Sequence, residues 1–177
     1  MVTLPNVLTA LRLVAVPVLV WLLVMPDARW WAALVFVAAS ATDLADGVIA
    51  RRTGQVTVVG KVADPIADKA LTGAALIGLS ALGQLAWWIT VVILVREVGV
   101  TLLRMWVIRH GVIPASRGGK LKTVAQMTAI TMYLVPISAT AWVIASELVM
   151  AVAVVLTVVT GVDYVVRALR LRRTAHA

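Results

Sequence analysis

Four aspartates stand at spacings that can do chemistry: Asp43 and Asp46 are three apart, and Asp64 and Asp68 are four apart. Residues three or four apart on a helix share a face, so each pair presents its carboxylates together. Two helices joined by a short turn are neighbours, which lets all four acids converge. Crowded carboxylates repel one another. In lipid each unpaired one costs about 2.5–3.5 kcal/mol at the membrane centre, and less near an interface. A divalent cation relieves both problems, and an all-carboxylate donor set favours hard ions such as Mg²⁺ or Mn²⁺. Four acids suit two ions, the arrangement that clamps a reacting phosphoryl group.

The residues around these acids fit a phosphorylated ligand. Gly47 and Gly60 carry no side chain where a bulky ligand could approach. Ala50, four residues after Asp46, keeps the same face low, and Arg51 adds a permanent cation one turn beyond Gly47. Small residues, acidic metal ligands and an arginine together imply a pyrophosphate substrate. The plainer alternative is tight helix packing, with the acids paired to Lys and Arg. It accounts for any one of these residues but poorly for all of them at this spacing.

The acids lie in strongly apolar surroundings. The chain has 177 residues, 62% of them hydrophobic and 14% charged, with a mean hydropathy of +1.02. This composition indicates an all-α integral membrane protein. Its length suits a single domain over residues 1–177, with about six transmembrane helices of roughly 20 residues each. The net charge of +8 does not indicate nucleic acid, because the basic residues sit between and beside apolar runs, as topology signals do. The absence of cysteine excludes disulfides, thiolate catalysis and zinc–thiolate sites.

Six apolar runs are expected, near residues 7–25, 30–50, 64–82, 85–108, 123–141 and 145–169. Pro5 suits the first turn of the first helix. That run is expected to be retained, since no A-x-A-like cleavage site follows it. Asp64 resembles an N-cap with Pro65 behind it, which would start the third helix beside the acids. Gly83 and Gln84 make a tight turn, and Pro136 is expected to kink the fifth helix.

Arg51, Arg52, Lys61, Arg109, Arg117, Lys120, Lys122, Arg167, Arg170, Arg172 and Arg173 fall on one set of connections and the C-terminal end, whereas Arg29 alone falls on the other. The positive-inside rule then puts both termini and the aspartates on the cytoplasmic side of the cell (plasma or inner) membrane. Trp21, Trp30, Trp31, Trp87, Trp88 and Trp142 cluster at the expected outer ends, as an interfacial belt would, and Trp106 falls at the inner one.

The pattern D-x2-D-G-x2-A-R-x8-G-x3-D-x3-D, met by Asp43, Asp46, Gly47, Ala50, Arg51, Gly60, Asp64 and Asp68, resembles the signature of the CDP-alcohol phosphotransferases. The resemblance implies a bundle of six transmembrane helices, usually homodimeric, in which an alcohol displaces CMP from a CDP-linked lipid. It implies Asp43, Asp46, Asp64 and Asp68 as ligands of two Mg²⁺ or Mn²⁺ ions, with Asp68 also the base for the attacking hydroxyl. Gly47 and Arg51 would meet the CDP moiety, with Arg51 on the pyrophosphate. The opening Pro5 to Arg12, PNVLTALR, is similar to the family's P-N-x-L-T-x-x-R and adds Asn6 and Thr9 to the nucleotide contacts. Thr57 is placed in the intervening turn, where its hydroxyl could reach the cytidine or a phosphate.

A second group bears on the acceptor. Arg96, Glu97 and Arg104, followed by Gly119, Lys120, Lys122, Thr123 and Gln126, resemble the R-E-x6-R and G-K-x-K-T-x-x-Q elements of the branch that uses sn-glycerol 3-phosphate. Arg96 and Arg104 are eight apart, about two turns along one face. A phosphorylated alcohol needs such a cationic pocket, although inner-face lysines also serve topology or anionic lipid. Arg96, deep in an apolar run, calls for an internal function or a carboxylate partner.

The expected reaction joins CDP-diacylglycerol and sn-glycerol 3-phosphate. Phosphatidylglycerol (cardiolipin synthesis) and inositol phosphate are the alternative acceptors. A divalent-cation transporter is the alternative of a different class, disfavoured because no polar residues continue the path to the outer side. Arg12 is expected to snorkel, and Asp163 and Arg167 to pair along a helix. His110 and His176 have no matching ligand set.

Overall fold

A computed structural model describes the backbone of residues 4–53, 58–107 and 117–174, and the side chains of 9–42, 66–67, 69–103, 105 and 118–169. Six helices make up the described chain: α1 (Leu4–Val24), α2 (Arg29–Thr53), α3 (Val58–Ala81), α4 (Trp87–Val107), α5 (Arg117–Leu134) and α6 (Thr140–Thr174). No strand occurs among the described residues. The all-α expectation holds, and the helix count agrees with the six apolar runs. Among the described residues, one helix, over Thr140–Leu169, is long and apolar enough to cross a membrane, while Thr9–Val24 and Lys69–Ala81 are shorter apolar stretches.

Three boundaries differ from expectation. α3 begins at Val58, so Asp64 lies in its second turn and is not an N-cap. The run Val58–Ala63 is apolar enough to continue the helix backward, and Pro65 then costs the helix one hydrogen-bond donor. α5 begins at Arg117 and ends at Leu134. Pro136 therefore terminates the helix region and does not kink it: residues 135–139 are non-helical, consistent with the restriction a proline places on the residue before it.

Contacts divide the chain into two compact units, Met1–Leu85 with Ile130–Ser138, and Ala86–Ala129 with Ala139–Ala177. In the first, α1 packs against both α2 and α3, which also touch each other. The buried face of α1 runs through Thr9, Arg12, Leu19 and Leu23, at helical spacing. It meets small residues: Ala32, Ala33 and Ala39 on α2 and Ala75 on α3 are buried. A Cβ placed on Gly78 would stand 2.6 Å from Leu23 Cδ1, so the helices approach closely there.

The turns of this unit are fixed by backbone chemistry. Asp27 (φ 59°) turns the chain between α1 and α2 in the left-handed conformation that aspartate tolerates. Gly83 (φ 70°) ends α3, with Gly83 N–H donating to Ser80 O (3.0 Å) and Gln84 N–H to Leu79 O (3.0 Å), the Schellman pattern. Arg29 ties these ends together: its Nη2 donates to Gln84 Oε1 (2.6 Å) and to Tyr133 O (2.8 Å). Desolvation by burial pushes the Arg29 pKa below its ordinary value, yet an arginine stays protonated at neutral pH.

In the second unit α4 packs on α6 through Thr90, Ile93, Met150, Ala153 and Thr157, all buried. The opposite faces are apolar and exposed, with Val91, Val95, Val98 and Leu102 along α4 and Leu148, Val152, Val155, Val159 and Val162 along α6.

Candidate active site

Asp43, Asp46, Gly47 and Arg51 lie in the C-terminal half of α2, and Gly60, Asp64 and Asp68 in the N-terminal half of α3. Only residues 54–57 separate the two helices. Such a connection spans at most roughly 18 Å, which keeps the two carboxylate-bearing segments adjacent. Asn6 falls in the first turn of α1 and Thr9 in the second. The side chains of Asn6, Asp43, Asp46, Arg51, Asp64 and Asp68 lie outside those described, and Thr57 lies outside the described residues altogether. Among the described side chains, no group of three His, Cys, Asp or Glu is positioned to hold a metal. The donor set on α2 and α3, four carboxylates with no thiol or imidazole among them, fits a hard divalent ion.

Thr9 is buried, as is Arg12, at 2% exposure. This corrects the expectation that Arg12 snorkels. Periodicity places Arg12 on the α1 face that carries Thr9, Leu19 and Leu23, and that face is turned to the two aspartate-bearing helices.

The second unit holds the residues expected on the acceptor side. Glu97 Oε1 accepts from Arg96 Nη1 at 3.1 Å and also from Lys122 Nζ. Arg96 Nη2 donates to Thr160 Oγ1 at 3.1 Å. Lys122 is buried, whereas Lys120, two residues earlier, is exposed. Arg104 lies on α4, its side chain outside those described. Arg96 thus has the carboxylate partner expected of it. Sequence reasoning missed the contributions of α6, because Thr160 and Gly161 in an apolar helix carry no signal beyond small size. The Asp163–Arg167 pair is present, with Arg167 Nε donating to Asp163 at 3.0 Å on the exposed side of α6.

Comparisons with known proteins identify the family. Residues 2–159 match the family described as CDP-alcohol phosphatidyltransferase. A Mycobacterium tuberculosis protein named "Probable phosphatidylglycerophosphate synthase" is 54% identical, covering 97% of this chain and 86% of its own. The Bacillus subtilis "CDP-diacylglycerol--glycerol-3-phosphate 3-phosphatidyltransferase" is 36% identical, covering 93% and 94%. A Streptomyces coelicolor "Cardiolipin synthase (CMP-forming)" is 34% identical, covering 75% and 65%. The chain belongs to the CDP-alcohol phosphatidyltransferase family.

Proposed function

We propose that this protein transfers the phosphatidyl group of CDP-diacylglycerol to sn-glycerol 3-phosphate, giving phosphatidylglycerophosphate and CMP in phospholipid biosynthesis. The observation that carries the choice of acceptor is the group formed by Arg96, Glu97 and buried Lys122. Clustered cations of this kind suit a phosphomonoester, whereas an uncharged alcohol does not call for them. The names of the Mycobacterium and Bacillus relatives support the same acceptor.

In this reading Asn6, Thr9, Gly47, Arg51, Thr57 and Gly60 bind the CDP moiety. Asp43, Asp46, Asp64 and Asp68 hold the divalent ions, Mg²⁺ or Mn²⁺. Those ions, when bound, supply positive charge to the pyrophosphate oxygens. Arg51 stabilises the negative charge on the same group. Arg96, Arg104, Lys120 and Lys122 bind the acceptor phosphate. Asp68 takes the proton from the acceptor's free hydroxyl as its oxygen bonds to the β-phosphorus. The bond from the β-phosphorus to the bridging oxygen breaks, and CMP leaves with the electron pair. Positioning and charge supply most of the catalysis in phosphoryl transfer of this kind.

The protein acts as a multi-pass membrane enzyme with both termini and the site on the cytoplasmic face, and as a homodimer. Support comes from the exposed apolar rows of α4 and α6, surfaces that suit lipid, and from the 30-residue apolar segment of α6. The exposed Trp21, Trp30, Trp31, Trp87 and Trp88 suit an interfacial belt.

The Streptomyces relative favours a second acceptor, phosphatidylglycerol. An acceptor panel separates the two. Purified protein in detergent or liposomes is given CDP-diacylglycerol and Mg²⁺ with sn-glycerol 3-phosphate, phosphatidylglycerol, inositol phosphate, inositol or serine, and CMP is followed. Release with glycerol phosphate alone is expected. Release with phosphatidylglycerol and not glycerol phosphate would replace this reading with the second.

A further inference from the structure

Glu97 has no place in the reaction as derived so far, yet it holds the second unit's charged group together. Its Oε1 is shared by Arg96 of α4 and Lys122 of α5. α6 completes the arrangement from the other side. Thr160 Oγ1 accepts from Arg96 and in turn donates to Leu156 O at 2.6 Å, so the hydroxyl is fixed in direction. A Cβ on Gly161 would stand 3.1 Å from Arg96 Cγ, so the arginine stem lies over a position with no side chain. Three helices therefore set the guanidinium: α4 carries it, α5 shares its carboxylate and α6 supplies its floor. Arg96 Nε is buried and has no hydrogen-bond partner among the described residues.

We propose that Glu97 is the positioning residue of the acceptor site, holding Arg96 and Lys122 in register as a preformed receptor for a phosphomonoester, with Thr160 and Gly161 as its supporting floor. The proposal rests on the acceptor reading above and assigns Glu97 no contact with substrate. Its physical basis is preorganisation. Long cationic side chains lose rotamer freedom on binding an anion, and a carboxylate that orders both beforehand removes that cost from the binding step. A role limited to offsetting charge predicts the opposite sign. Removing the carboxylate would then raise the local positive charge, and the acceptor would bind more tightly.

The test is steady-state kinetics of CMP release on purified full-length protein, with each substrate varied in turn. Glu97→Gln is expected to raise KM for glycerol phosphate about tenfold, the loss of one charge-assisted contact, with KM for CDP-diacylglycerol within about twofold of wild type. Glu97→Asp is expected to recover part of the rise. Gly161→Ala, which suits a helix and pushes on the Arg96 stem, is expected to show the same selective change at smaller size. A folded Glu97→Gln enzyme whose acceptor KM is unchanged or lowered, or whose two KM values rise together, overturns the proposal. If Glu97→Gln is not recovered folded, an unchanged acceptor KM in Gly161→Ala does so instead. Wild-type protein inactive with glycerol phosphate would refute the acceptor reading on its own. The same variants are then assayed with the acceptor the wild type does use, and an unchanged KM for that acceptor overturns the positioning role.

Discussion

Leu23 Cδ1 occupies the space next to Gly78, 2.6 Å from where a Cβ would stand, so α1 meets α3 across a position without a side chain. The contact lies on the face that also buries Thr9 and Arg12. Gly78→Ala displaces only the tip of a leucine and is expected to cost little. Gly78→Val forces the helices apart and is expected to destabilise the protein by about 1–3 kcal/mol, the usual range for overpacking. Thermal unfolding in detergent checks both, and equal midpoints for the two variants would contradict the close approach.

Asp68 is the proposed base on α3. Asp68→Asn removes the proton acceptor at nearly constant volume. Turnover is expected to fall by at least about 10²-fold, the lower range for a general base, and further if metal binding also weakens. The variant should still insert and purify as wild type does. CMP release at a near-normal rate would remove Asp68 from that role.

Arg104 shares α4 with Arg96, eight positions further on. Arg104→Ala is expected chiefly to raise KM for glycerol phosphate, by about tenfold or more for a lost charge-assisted contact. An unchanged KM takes Arg104 out of the acceptor pocket. Exposed Lys120 is expected to matter less than buried Lys122, so Lys120→Met should move the same constant less than Lys122→Met does.

Arg29 holds Gln84 and the Tyr133 carbonyl at once. Arg29→Ala is expected to lower stability by about 1–3 kcal/mol, because two hydrogen bonds from a charged donor are lost, one of them to the part-buried Tyr133 carbonyl. Both KM values should stay near wild type. A variant of wild-type stability in a denaturant series would show that these bonds contribute nothing net.

Removal of divalent ions tests the carboxylate cluster directly. Chelation is expected to abolish CMP release, and added Mg²⁺ or Mn²⁺ to restore it. Release undisturbed by the chelator would end the metal reading of Asp43, Asp46, Asp64 and Asp68.

The helices, and several turns and pairs within them, were legible because they are local. Pro5 in the first turn of α1, the Gly83 turn and the Asp163–Arg167 pair follow from neighbours within a few positions. What depended on a helix's surroundings was not legible. Asp64 looked like an N-cap because Asp-Pro is a common helix start, but the apolar residues before it carry α3 back to Val58. Arg12 looked like a snorkelling residue because hydropathy says that a charge interrupts an apolar run and says nothing of which face it occupies. Arg29 was counted as the one outer basic residue, although its bonds to Gln84 and Tyr133 make it a structural clamp. The Arg96–Glu97–Lys122 group combines a sequence neighbour with a residue 25 positions beyond Glu97. Neither the i,i+1 contact nor the distant one follows from helical periodicity, which speaks only for positions three and four apart.

The length of α6 has a bearing on which molecules can reach the cations. From Thr140 to Thr160 the helix rises about 30 Å, close to the thickness of a bilayer's hydrocarbon layer. On the membrane reading proposed above, with Trp142 at one headgroup boundary, Thr160 and the Arg96 guanidinium bonded to it would come near the other. On that reading a water-borne phosphate ester would meet the cations without entering the hydrocarbon layer.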